Sequence, residues 1–114
     1  MSGRLSHVEI GVFDGDRALV FFQQLFGWSP QPLGAEHNAW LQAPSFSVGV
    51  HGDDPAARMV LYFQVEDLAG SVLQVRALGG QAGALSEHEP GFGRFCLCHD
   101  PQGVCFGLQQ PDPS

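Results

Sequence analysis

Apolar and polar positions alternate strictly over residues 7–12: Val8, Ile10 and Val12 share one face, His7, Glu9 and Gly11 the other. A period of two predicts a half-buried strand. The period then changes. Asp14 stands at an N-cap position, and Ala18, Phe22 and Leu25, flanked by Phe21 and Phe26, recur at helical spacing up to Gly27, a natural stop. Strand, turn, amphipathic helix over 15–26 and glycine make one unit.

The unit recurs 53 residues later, where Val65 falls over Val12 and Asp67 over Asp14. Leu61, Tyr62 and Phe63 fall over Val8, Glu9 and Ile10, and Gly79 over Gly27 with a slip of one residue. A repeated supersecondary unit constrains architecture more than any single motif does. It predicts a strand at 59–65 and a helix at 67–78, with Leu68, Val72, Val75 and Leu78 on the inner stripe.

The rest of each half reads as strands. Trp28 begins a short one interrupted by Pro30 and Pro32. Residues 38–42 and 45–51 form two more, the second with Phe46, Val48 and Val50 on one face and Ser45, Ser47, Gly49 and His51 on the other. Gly52, Asp53, Asp54 and Pro55 give a clear loop signal, taken as the linker between modules. In the second half, a weak strand at 81–86 and a Gly/Pro loop at 87–93 precede a strand at 94–99. Asp100, Pro101, Gln102 and Gly103 form a turn, 104–109 the last strand, and 111–114 a tail. The expected fold is α+β, with two βαβββ modules: module one at 5–51, linker 52–57, module two 58–110, all in one domain over 1–114.

Composition narrows the function. A chain of 114 residues, 44% hydrophobic and 15% charged, with nine Phe, is a globular domain with a modest core. No apolar run is long enough for a bilayer, and the first residues lack the apolar core of a secretory signal, so a cytoplasmic protein without a membrane partner is expected. The net charge of −7 argues against nucleic-acid binding and favours a cationic guest. The chain has no Lys, which excludes Schiff-base chemistry and a lysine phosphate site. Cys96, Cys98 and Cys105 are odd in number and make neither a disulfide framework nor a C-x-x-C motif.

Three stretches carry a resemblance over essentially the whole chain: His7-Val8-Glu9-Ile10 running into Asp14; Arg17-Ala18, Phe21-Phe22 and Phe26-Gly27-Trp28; and Asp100-Pro101-Gln102-Gly103 with Phe106-Gly107-Leu108. They resemble the vicinal oxygen chelate superfamily of glyoxalase I, bleomycin-resistance proteins and extradiol dioxygenases, most of all its small glyoxalase-like members. The resemblance implies a curved, cup-shaped, mainly antiparallel eight-stranded sheet with two outer helices, a ligand cavity and a homodimer. The superfamily's metal site takes one ligand from the first and last strand of each module. Carried over by position, these fall on His7, Gly49, Val60 and Gly107. Glycine and valine offer no lone pair, and one histidine is not a divalent-metal site. No metal and no cofactor are therefore expected. Glu9 offers no rescue on strand spacing alone, since it lies about 7 Å from His7 along the strand.

Parity places further groups on the cavity face with His7 and Glu9: Ser47 and His51 from module one, Tyr62 and Gln64 from module two. Pairing across the 100–103 turn sets Cys98 opposite Cys105, with Cys96 and Gln109 on that same face, and Phe95 and Leu97 under the helices. The resemblance adds Trp40 and Phe92 as pocket residues. His37, His88 and His99 lack partner spacing and read as solvated. His7 and Glu9 suit a base and its orienting carboxylate, and equally a hydrogen-bonded wall pair. Three functions stay open: a metal-independent small-molecule binding protein, a lyase, isomerase or atypical metal enzyme using His7 and Glu9, and an interaction module.

Overall fold

Both helices start at the aspartates that the repeat brings into correspondence. In the computed structural model, which describes residues 3–31 and 39–112, Asp14 Oδ1 accepts the Arg17 N–H and Asp67 Oδ1 the Gly70 N–H, each at 3.1 Å. Each bond satisfies a donor that the first helical turn leaves unpaired. The elements in chain order are β1 (Arg4–Gly11), α1 (Gly15–Phe26), β2 (Ser29–Gln31), β3 (Ala39–Gln42), β4 (Ser47–His51), β5 (Arg58–Gln64), α2 (Leu68–Ala77), β6 (Gln81–Ala82), β7 (Arg94–His99) and β8 (Cys105–Gln110). Asn38, the expected start of the third strand, lies outside the described residues, as do Pro32, His37 and residues 113–114.

The chain divides into two units, residues 7–60 and residues 1–6 with 61–114. In the first, the strands run in the order β2-β3-β4-β1; in the second, β5-β8-β7-β6. Each unit contains one parallel pairing, β1 with β4 or β5 with β8, and two antiparallel ones. The fold is α+β with mixed strand pairing, and the repeat seen in the sequence is a repeat of topology.

Apolar strand positions supply most of the first unit's core: Val8, Ile10, Leu41, Val48 and Val50 are buried. α1 contributes less than its pattern promises, for none of its residues is fully buried. Leu25, expected on the inner face, is exposed together with Phe21 and Phe26. Phe22 is the aromatic anchor, its ring stacked 6.1 Å from those of Phe26 and Trp28. In the second unit Leu68, Val72, Val65, Leu108, Cys96 and Cys98 form the core, with Val75, Ala82 and Phe106 against it. Leu78 departs from the expected stripe and is 72% exposed. It is the C-cap residue, beyond the last helical turn.

The final hairpin corrects the expected register. Asp100 Oδ1 accepts the N–H groups of Gln102 at 2.9 Å and Val104 at 2.8 Å, and the Asp100 N–H donates to Val104 O at 3.0 Å. Val104 thus belongs to the loop. The pairs are His99 with Cys105, Cys98 with Phe106 and Cys96 with Leu108. A shift of one residue flips every side chain of a strand. Cys96 and Cys98 consequently face the core, while Phe95 and Leu97 share the face of Gly107 and Gln109.

Candidate functional site

Across the parallel β1–β4 pair, His7 stands opposite Ser47, Glu9 opposite Gly49, and Gly11 opposite His51. A bulky group meets a small one at every step, so side chains from the two strands interleave in single file. Ser47 Oγ lies 2.7 Å from His7 Nδ1, and His7 Nε2 lies 2.9 Å from Glu9 Oε1. Glu9 Oε2 lies 2.7 Å from His51 Nδ1, and His51 Nε2 lies 3.2 Å from Asp54 Oδ2. Arg58 closes the chain, its Nε 3.8 Å from Asp54 Oδ2. The strand spacing that separates the backbones of residues 7 and 9 is bridged by the side chains leaning together.

Hydrogen-bond bookkeeping sets the protons. An ionised carboxylate only accepts, so both ring nitrogens facing Glu9 carry hydrogen. His7, 1% exposed, then accepts at Nδ1 from the Ser47 hydroxyl. His51 faces a carboxylate at each nitrogen and is satisfied only as an imidazolium. Accordingly, the bond to Glu9 is the largest effect and raises the His51 pKa; burial opposes it, and the bond to Asp54 adds to the rise. For Glu9, burial is the largest single effect and pushes the pKa up, but the bonds from His7 and His51 together outweigh it and leave the pKa lowered. The Asp54 pKa is lowered first by the Ala56 N–H and then by His51.

Trp40 sits beside this chain, its ring 4.6 Å from that of His7. His7, Glu9, Trp40, Ser47 and His51 therefore come together in the first unit. In the second, Tyr62 is paired with Gly107 and Gln64 with Gln109. Tyr62, Phe92 and Phe95 form an edge-to-face cluster with centroids 5.7–6.0 Å apart. Gln109 accepts from Ser6 Oγ at 2.5 Å and donates to Phe92 O at 2.7 Å, tying the 87–93 loop to β8. Cys105 is half-buried beside this face. Cys98, expected on this face, lies instead fully buried under α2, and burial pushes its thiol pKa to about 12. His88, read as solvated, pairs with Asp112.

Sequence reasoning missed Asp54, which it assigned to the linker. The available signal was the glycine opposite His51: a Cβ on Gly11 would stand 2.6 Å from His51 Nε2 and closer still to Asp54 Oδ2.

The superfamily's metal can be tested against this geometry. Of the corresponding positions only His7 carries a donor. A Cβ on Gly49 would stand 3.0 Å from Glu9 Cδ, so the Glu9 carboxylate already fills the space of a ligand side chain there. In the second unit the Tyr62 ring lies over Gly107 in the same way. These residues do not fit that metal site.

No protein-family model matches the sequence. The chain is 31% identical over 105 residues to the proteins named "Putative glyoxylase CFP32" of Mycobacterium bovis and Mycobacterium tuberculosis, an alignment covering 86% of this chain. It spans 40% of the length of those relatives. Among solved structures, the fold is similar to methylmalonyl-CoA epimerase from Mycobacterium tuberculosis, with a TM-score of 0.73 at 20% identity, covering 96% of this chain and 89% of that one. It is also similar to the hypothetical protein BH1468 from Bacillus halodurans, with a TM-score of 0.78 at 13% identity, covering 100% and 98%. The repeated βαβββ topology and these likenesses support a vicinal oxygen chelate, glyoxalase-like, fold for this chain.

Proposed function

We propose that this protein is a metal-independent binder of a small molecule, recognised on the sheet face of the first unit. The observation that carries the reading is Glu9. Its side chain is 29% exposed, and each of its oxygens holds one imidazole bond. A carboxylate oxygen accepts two bonds, so Glu9 keeps acceptor capacity toward an incoming group. The guest is therefore a hydrogen-bond donor, and the net charge of −7 favours a cationic one. Trp40, Ser47 and His51 complete this face. Tyr62, Gln64, Phe92, Cys105 and Gln109 line that of the second unit, as paired modules of one domain in a cytoplasmic homodimer.

A second reading is an acid–base enzyme of lyase or isomerase type, with His7 and Glu9 as the reacting pair. The direct His7–Glu9 bond and the glyoxylase name of the relatives favour it. Elemental analysis and a thermal-shift screen of organic amines, amides and carboxylic acids test both. The binding reading expects no stoichiometric metal and a stabilising guest whose effect is lost in Glu9→Gln. About one metal per chain, lost together with ligand response in His7→Ala, would overturn it.

A further inference from the structure

The loop after β4 is built into the first unit's site. Asp53 has φ 60° and is the one non-glycine residue among the described residues with positive φ. Such a conformation persists only where its surroundings hold it. Here the Asp53 N–H donates to Phe13 O at 2.8 Å and the Asp54 N–H to Val12 O at 3.0 Å, folding the loop back along the end of β1. The Ala56 N–H, 3.0 Å from Asp54 Oδ1, fixes the carboxylate so that Oδ2 meets His51. Gly11 leaves the slot into which both side chains fit.

We propose that Asp54 is a positioning residue of this site, acting through His51 to hold Glu9 as an ionised acceptor toward the guest. The inference rests on the reading that Glu9 meets the ligand. Among the described residues, the charged groups facing His51 are Glu9 from β1 and Asp54 from its own loop, with Arg58 of β5 beside Asp54. Between two carboxylates the imidazole donates at both nitrogens, and its bond to Glu9 is charge-assisted. Without the Asp54 charge, a neutral His51 has one N–H, and Glu9 loses a cationic donor.

Nuclear magnetic resonance titration of the histidine rings and glutamate carboxyls tests this. In Asp54→Asn the His51 midpoint should fall by about one pH unit and the Glu9 midpoint rise by about half a unit. His51→Gln should raise the Glu9 midpoint at least as far. If Asp54→Asn does not fold, Asp54→Ser keeps an acceptor for the Ala56 N–H and removes the charge. A Glu9 midpoint unmoved by loss of the Asp54 charge overturns the proposal, whatever happens to thermal stability, because a purely structural Asp54 would lower stability alone. Midpoints that move as expected, with no guest found in the thermal-shift screen, uphold the role of Asp54 and remove the binding reading.

Discussion

The Glu9 carboxylate lies across Gly49, occupying space that any side chain at position 49 would need. The repeat sets Tyr62 over Glu9, and the Tyr62 ring lies across Gly107 in the same manner. In both units a first-strand side chain folds over a last-strand glycine. One of these chains is a hydrogen-bonded carboxylate, the other a buried aromatic ring.

That difference predicts unequal costs. In Gly49→Ala the new methyl meets the tip of a flexible side chain, which can move aside at the cost of its bonds to His7 and His51, roughly 1–2 kcal/mol. In Gly107→Ala it meets a packed ring, within 2.7 Å of Tyr62 Cγ, and overpacking costs about 1–3 kcal/mol or more. Urea unfolding should rank Gly107→Ala below Gly49→Ala in stability. Adding Glu9→Ala to Gly49→Ala should cost less than Glu9→Ala does alone.

Stability should peak in mildly acidic solution. The His51 pKa is raised above its ordinary 6.5, so its contribution is complete below that pH and fades as pH rises through the folded value. The Glu9 pKa is lowered below 4.5, so its contribution is complete above that pH and is lost as pH falls through the folded value. Denaturant midpoints should therefore be highest between the two ordinary values and decline on either side. His51→Gln should flatten the alkaline decline.

Thiol chemistry should single out Cys105. Cys96 and Cys98 are buried in the core, and the Cys98 pKa is raised to about 12, which leaves little thiolate near neutrality. A disulfide reagent should label one cysteine per native chain and all three after unfolding. Rapid labelling of Cys98 in the native protein would contradict the observed register.

The second helix separates pattern from packing. Val72→Ala, in the core, should cost about 2 kcal/mol, whereas Leu78→Ala, at the exposed C-cap, should cost under about 0.5 kcal/mol. Equal losses in thermal or urea unfolding would restore Leu78 to the inner stripe.

Local sequence is enough to read the repeat, both aspartate caps, the helices and the alternation of β1 and β4. Each of these depends on local periodicity or on a side chain bonding its own backbone within a few residues. It therefore placed His7, Glu9, Ser47 and His51 on one face. Tertiary structure alone decided how those side chains meet, because the single-file chain depends on Gly11 and Gly49 standing opposite longer partners on a strand some 40 residues away. It also decided the register of the last hairpin, where the Asp100 side chain draws Val104 into the loop and turns Cys98 into the core. Asp54 belongs to the same class: its place beside His51 comes from backbone bonds to Val12 and Phe13, distant in sequence, which no periodicity within the loop records.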